Sequence, residues 1–215
     1  MRKIIAVFLL ALLSGNILAI ERNEFWNQKD YRQWNQNECE KLLRDSPWAK
    51  EVGLSHLGQK YQLRILSALP IRQALVRQMQ INDNYESFST EQRQEYDKRT
   101  EEYLALPFND TVVIHVAGNY LGNYWRVQST ERLRNTTFLI TSSNKKIPLL
   151  EFKVIAGGSQ LIDFLFIFPR HYQGHSILRE GKQPLSLEFV YPKSQRDYLR
   201  SPALAEMERA FIEFK

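Results

Sequence analysis

The chain has 215 residues, of which 43% are hydrophobic and 25% charged, with a single cysteine and a net charge of +5. These values exclude wholesale disorder, collagen-like repeats and a disulfide scaffold, and leave room for one domain of about 150–200 residues. The basic excess is scattered: residues 20–110 carry −2 and residues 111–215 carry +5, with no Lys/Arg cluster beyond pairs such as Lys145-Lys146. That pattern is a solvated surface and excludes a nucleic-acid footprint.

Arg2 and Lys3 precede an unbroken apolar run from Ile4 to Leu13, which Ser14, Gly15 and Asn16 interrupt. A charged start, a ten-residue apolar run and polar breakers are the order of a secretory signal peptide, too short to span a bilayer. We expect residues 1–19 to be a signal peptide cut near Ala19, giving a secreted or periplasmic protein. No later stretch reaches the apolar length of a transmembrane helix.

Residues 20–59 read as a helical lead-in. Phe25, Trp26, Tyr31 and Trp34 punctuate a polar stretch. Asn35 with Glu38 forms a helix start, and the helix runs to about Arg44 before Ser46-Pro47 ends it. Cys39 shares a helical face with Leu42 and Leu43, so it packs as a small hydrophobe.

Residues 60–215 read as a sheet-rich domain. Tyr61, Leu63 and Ile65 alternate with polar residues, the mark of a half-buried strand. A helical insert follows over 70–105: Pro70 opens one helix, and Ser89 with Gln92 caps a second, almost wholly polar one. Val112, Ile114 and Val116 alternate next. Residues 119–133 form a loop and a short helix holding Trp125. Thr136 to Thr141 and Leu149 to Ile155 are expected to pair as a hairpin across the turn at Asn144. Leu161 to Phe168 reads as a central strand covered on both faces, Pro169 to Gln183 as a polar loop, and Leu185 to Tyr191 as a last strand. At the C-terminus, Leu204, Met207, Phe211 and Phe214 share one face of an expected helix over 202–213.

The fold class is therefore α+β: an antiparallel β-sheet or sandwich with inserted helices and flanking N- and C-terminal helices. The expected core contains Leu63, Ile65, Val112, Ile114, Val116, Phe152, Val154, Phe164, Phe166, Leu187 and Phe189.

The run Trp34-x3-Glu38-x3-Leu42-Leu43-x2-Ser46-Pro47-Trp48-Ala49-Lys50 resembles a segment of uncharacterised exported bacterial proteins. In them a short helix ending in Ser-Pro-Trp-Ala follows the signal peptide. Thr137-Phe138-Leu139, Lys145-Lys146-Ile147-Pro148 and Phe168-Pro169-Arg170 are also similar. The resemblance implies a bacterial, exported protein and brings no activity or residue roles with it.

The chain carries no nucleophile elbow, phosphate loop, dinucleotide fingerprint, zinc-protease motif or Cys-x-x-Cys. Three groups of candidates remain. His171 and His175 could share a metal, and Asp163 and His115 sit among apolar neighbours where a titratable group needs a reason. His56 lies in a turn and carries no signal. Trp26, Trp34 and Trp48 could stack on a sugar or a partner side chain, or staple the lead-in to the sheet. Asn109 and Asn135 begin N-glycosylation sequons, which matter only in a eukaryotic secretory host. The leading expectation is a non-enzymatic binding or envelope-associated protein without a cofactor, its partner a protein or glycan of the cell envelope. The alternative is an exported hydrolase or metal-dependent enzyme using His171, His175, Asp163 and His115.

Overall fold

The computed structural model describes residues 24–54, 60–119, 121–157, 162–178 and 184–214. The expected signal peptide and His56 lie outside these residues.

Helix α1 (Gln36–Arg44) starts where Asn35 and Glu38 cap each other: Glu38 N donates to Asn35 Oδ1 at 3.0 Å and Asn35 N to Glu38 Oε2 at 2.8 Å. Cys39, Leu42 and Leu43 form its buried face. Pro47 and Trp48 then turn the chain tightly, pairing β1 (Asp45–Ser46) with β2 (Ala49–Gly53). Strand β3 (Lys60–Ile65) follows. Next come α2 (Leu69–Asn82), with Pro70 in its first turn, and α3 (Thr90–Leu104), whose Ser89 cap works as the spacing to Gln92 predicts. The polar face of α3 is solvated, and only Tyr96 and Thr100 are buried. Arg72 ties the insert down by donating to Leu66 O at 2.9 Å and Leu104 O at 3.1 Å.

Strand β4 (Thr111–Gly118) pairs with β3 despite the intervening helices. Two short helices, α4 (Gly122–Arg126) and α5 (Thr130–Leu133), carry Trp125 into the core. The remaining elements are β5 (Phe138–Ile140), β6 (Lys146–Pro148), β7 (Glu151–Gly157), β8 (Ile162–Pro169), β9 (His171–Tyr172), β10 (His175–Ser176), β11 (Leu185–Pro192), α6 (Gln195–Arg200) and β12 (Met207–Phe214). They complete a six-stranded sheet ordered β1-β2-β3-β4-β8-β7 and a four-stranded sheet ordered β12-β11-β5-β6. Every described pairing is antiparallel. The fold is α+β, as the pattern of periods implies.

The two sheets face each other across a single aromatic core. Tyr61, Leu63, Ile114, Phe164, Phe166 and Phe168 project from the larger sheet, and Leu139, Ile147, Leu187, Phe189, Ile212 and Phe214 from the smaller. The expected core residues are buried except Val154, which is half-buried beside a β-bulge in β7. A second core lies against β2 on the other side, where α1 and α2 enclose Tyr31, Trp34, Cys39, Leu42, Leu43 and Ile71 with Ala49. Half-buried Trp48 packs against both cores.

Three expectations are corrected. The C-terminal helix over 202–213 is a strand: β12 pairs with β11 along its length and buries Ala210, Ile212 and Phe214, leaving Phe211 61% and Leu204 85% exposed. The spacing of Leu204, Met207, Phe211 and Phe214 fits a helix by coincidence, whereas pairing to β11 satisfies the backbone and buries a different set. The second correction concerns the expected hairpin. Residues 138–140 pair with 146–148, and the chain then crosses at Leu149-Leu150 so that β7 joins β8 in the other sheet. Third, the region after Pro169 contains a hairpin of its own, β9–β10, closed by Gln173 (φ 51°) and Gly174 (φ 76°). The outer face of β8 is also open in part, because Asp163, Leu165 and Ile167 are only half-buried.

Candidate functional site

The four residues of the enzyme alternative do not come together. Asp163 stands near the start of β8, and His171 lies beyond its end. The six strand steps from Asp163 to Pro169, at about 3.3 Å each, already separate them by roughly 20 Å. His171 and His175 are both exposed, on the two arms of the β9–β10 hairpin. Among the described residues no three His, Cys, Asp or Glu side chains are grouped as a metal would need.

What does meet is one pair. The register β4–β8 places Ala117 opposite Asp163 and His115 opposite Leu165, so His115 and Asp163 are diagonal neighbours on the outer face of the larger sheet. His115 Nε2 lies 3.5 Å from Asp163 Oδ1. Arg64, opposite His115 on β3, donates from Nε to Leu43 O at 3.0 Å. Burial lowers the His115 pKa from its ordinary value; the Asp163 carboxylate opposes that shift and Arg64 adds to it. The imidazole is therefore neutral near pH 7 and oriented by Asp163.

The tryptophans belong to the packing of the lead-in. Trp34 is 1% exposed and offers no ring face to a ligand. Trp26 and Trp48 are half-buried against each other, edge to face, with centroids 5.8 Å apart, and Phe25 bridges Trp26 to Trp34. These rings staple the segment before α1 to the sheet.

A concave site lies elsewhere, between the β5–β6 turn and the β9–β10 hairpin. The cleft has a volume of about 320 Å³. Thr141, Ser142 and Ser143 form one wall with Lys145; Tyr172, His175 and Ser176 form the other. Both walls are rigid for local reasons. In the first, Thr141 N donates to Lys145 O at 3.1 Å, Lys145 N donates to Thr141 Oγ1 at 3.2 Å, and Asn144 takes the left-handed conformation (φ 59°) that closes the turn. The Thr141 and Ser143 hydroxyls are 3.0 Å apart. In the second, Ile177 N donates to Arg170 O at 2.9 Å, fastening the hairpin to the end of β8. Tyr172 and His175 are paired residues and so share the hairpin face turned to the cleft.

Lys145 Nζ lies 5.2 Å from the centre of the Tyr172 ring and so spans the two walls. Hydroxyls, an ammonium, an imidazole and a phenol ring line the cleft, and among the described residues no carboxylate lines it. Such a set donates hydrogen bonds and favours negative charge. Of these residues only His175 stood out in the sequence. Lys145, Tyr172 and the hydroxyls come from two segments about 30 residues apart, the first legible as a turn and the second only as a polar loop, and neither as half of a site.

No protein-family model matches the chain, and no significant similarity links it to a curated protein or to a solved structure.

Proposed function

We propose that the protein is an exported, non-enzymatic binding module of the cell envelope whose two-hairpin cleft takes a terminal acidic sugar of a glycan. The observation that carries this reading is the lining of the cleft: Lys145 across Tyr172, His175 and four hydroxyls, with no carboxylate among the described lining residues. Sugar hydroxyls find partners in Thr141, Ser143 and Ser176, and a uronate or phosphate group is matched by Lys145 and the N–H of His175. A volume near 320 Å³ is at the small end of ligand pockets, which suits one sugar ring and excludes a long buried chain. Export is supported by the order of residues 1–19 and by the resemblance carried by Ser46-Pro47-Trp48-Ala49.

The test is calorimetric binding of acidic oligosaccharides, such as oligogalacturonate, beside neutral ones of equal length. Saturable binding of the acidic series is expected, weakened by salt and lost in Lys145→Ala and Tyr172→Ala. Equal binding of neutral and acidic sugars, or binding untouched by both substitutions, would overturn it.

A further inference from the structure

The excursion between β11 and β12 carries an apolar apex inside a basic rim. Lys193 N donates to Glu206 O at 2.9 Å and the two side chains form an ion pair, so the loop is closed at its base. Its course is held by α6 and the turn after it. Asp197 N donates to the Ser194 hydroxyl at 3.2 Å, Ser201 N to Asp197 O at 2.9 Å and Leu204 N to Ser201 O at 3.1 Å. Tyr198 turns inward, its ring edge to face with Tyr124 of α4 at 5.0 Å. Arg196, Leu199 and Arg200, spaced i, i+3 and i+4, share another face and are exposed. Leu204, in the turn, is 85% exposed, and Leu199 more than half.

α4 adds to the rim. The Tyr124–Tyr198 contact sets its end beside α6, where Val127 is more than half exposed and Arg132 Nη1 donates to Val127 O at 3.0 Å. Apart from Arg126, which is engaged within the fold, residues 122–134 and 194–205 carry Arg132, Arg134, Arg196 and Arg200 against Glu131 and Asp197, a net charge of +2. None of these four arginines is in an ion pair among the described residues. A protruding leucine needs no shaped recess where the receiving surface is fluid, and a cationic rim is complementary to a surface that is anionic.

We propose that this loop docks the protein on an anionic lipid surface, with Leu204 and Leu199 entering the boundary between headgroups and acyl chains and the arginines meeting the lipid phosphates. The register fixes what the docked protein presents. Ile140 pairs with Ser186, so residues 141–145 lie beyond the Leu185 end of β11, whereas the loop leaves from its Pro192 end. The strand steps between these ends, at about 3.3 Å each, separate them by roughly 23 Å. The cleft is therefore held away from the bilayer. Docking stands on the loop alone and is independent of what the cleft binds.

Co-sedimentation of the purified protein with vesicles of phosphatidylcholine containing about one third phosphatidylglycerol, beside vesicles of phosphatidylcholine alone, tests the assignment. Binding to the anionic vesicles is expected to be about tenfold or more tighter than to the neutral ones, and to weaken with salt. Leu204→Glu is expected to weaken it about tenfold or more, and Arg196→Ala and Arg200→Ala about fivefold each. All three side chains are exposed, so circular dichroism should match wild type. An environment-sensitive dye on Leu204→Cys reports the point of entry, separately from any binding by residues 1–19; Cys39 is buried and does not compete for the label. The emission is expected to shift to the blue on anionic vesicles, while the same dye on Lys98→Cys, on the solvated face of α3, stays unchanged. Equal binding to both kinds of vesicle, binding untouched by Leu204→Glu, or a blue shift at both dye positions would overturn the proposal. So would a Leu204 contact made with an envelope protein and with no lipid.

Discussion

Trp125 and Tyr61, 64 residues apart in the chain, meet by their polar ends inside the aromatic core: the indole Nε1 donates to the phenol oxygen at 3.3 Å. Both rings are wholly buried. The contact is what α4 delivers to the sheet, since Trp125 also stacks on Phe164 with centroids 4.6 Å apart. Gly118 makes room for it, because a Cβ there would lie 2.6 Å from the Tyr61 ring.

Replacing Tyr61 with Phe leaves the indole N–H of Trp125 buried and unpaired. A loss of about 1–3 kcal/mol is expected in urea unfolding. Gly118→Ala is expected to cost a similar ~1–3 kcal/mol by forcing the ring off its seat. The two losses should fall short of additivity in the double variant, because both act on one ring. Full additivity would separate Gly118 from Tyr61 and sink this account.

The strand character of the C-terminus has its own test. Phe214 is buried and Phe211 exposed, so Phe214→Ala is expected to cost about 3–5 kcal/mol. Phe211→Ala, measured at low protein concentration, should stay within about 0.5 kcal/mol of wild type. A helix with both residues on its apolar face would make the two costs alike. Denaturant midpoints distinguish the cases.

His115 makes stability depend on pH in a defined direction. Burial first, with Arg64 beside it, lowers the folded pKa below the ordinary value near 6.5; Asp163 limits the drop. The unfolded chain then binds the proton more readily than the folded one. The stability of the neutral ring is complete above about 6.5 and is lost as pH falls through the folded value. Urea midpoints are expected to fall below pH 6.5, and His115→Gln is expected to flatten that part of the profile. An unchanged slope in the variant would place the dependence elsewhere.

Cys39 is expected to be inert in the native state. Burial pushes its thiol pKa up to about 11, against a smaller opposing pull from Arg77. At pH 8 a disulfide reagent should label the unfolded protein at once and the native protein only as fast as it opens. Rapid native labelling would show that α1 detaches from α2.

Much of the helical part was legible because its signals are local. Asn35 and Glu38, or Ser89 and Gln92, lie three residues apart and cap their own helices. The long strands were legible through alternation, as at Leu63 and Ile65. What failed depended on distant partners. Residues 207–214 place Phe211 outward between buried Ala210 and Ile212, which erases the two-residue period, and only the ladder to β11 decides their state. Leu149 offers no local sign that it leaves one sheet for the other. The cleft was hidden for the same reason, since Lys145 and Tyr172 are neighbours only after β6, β7 and β8 have carried the chain between them.

In the smaller sheet β11 lies inside, with β5 on one edge and β12 on the other. It is also among the last strands to be made. A nascent chain emerging N-terminus first holds α1, α2 and their small core early, whereas the Phe164 and Phe166 row waits uncovered until residue 189 and its neighbours arrive. Closing that row means bringing together segments from Tyr61 to Phe214, so the slow step of assembly is the long-range docking of the C-terminal quarter. A chain that stops short of Leu185 keeps its helical cap and loses the sandwich.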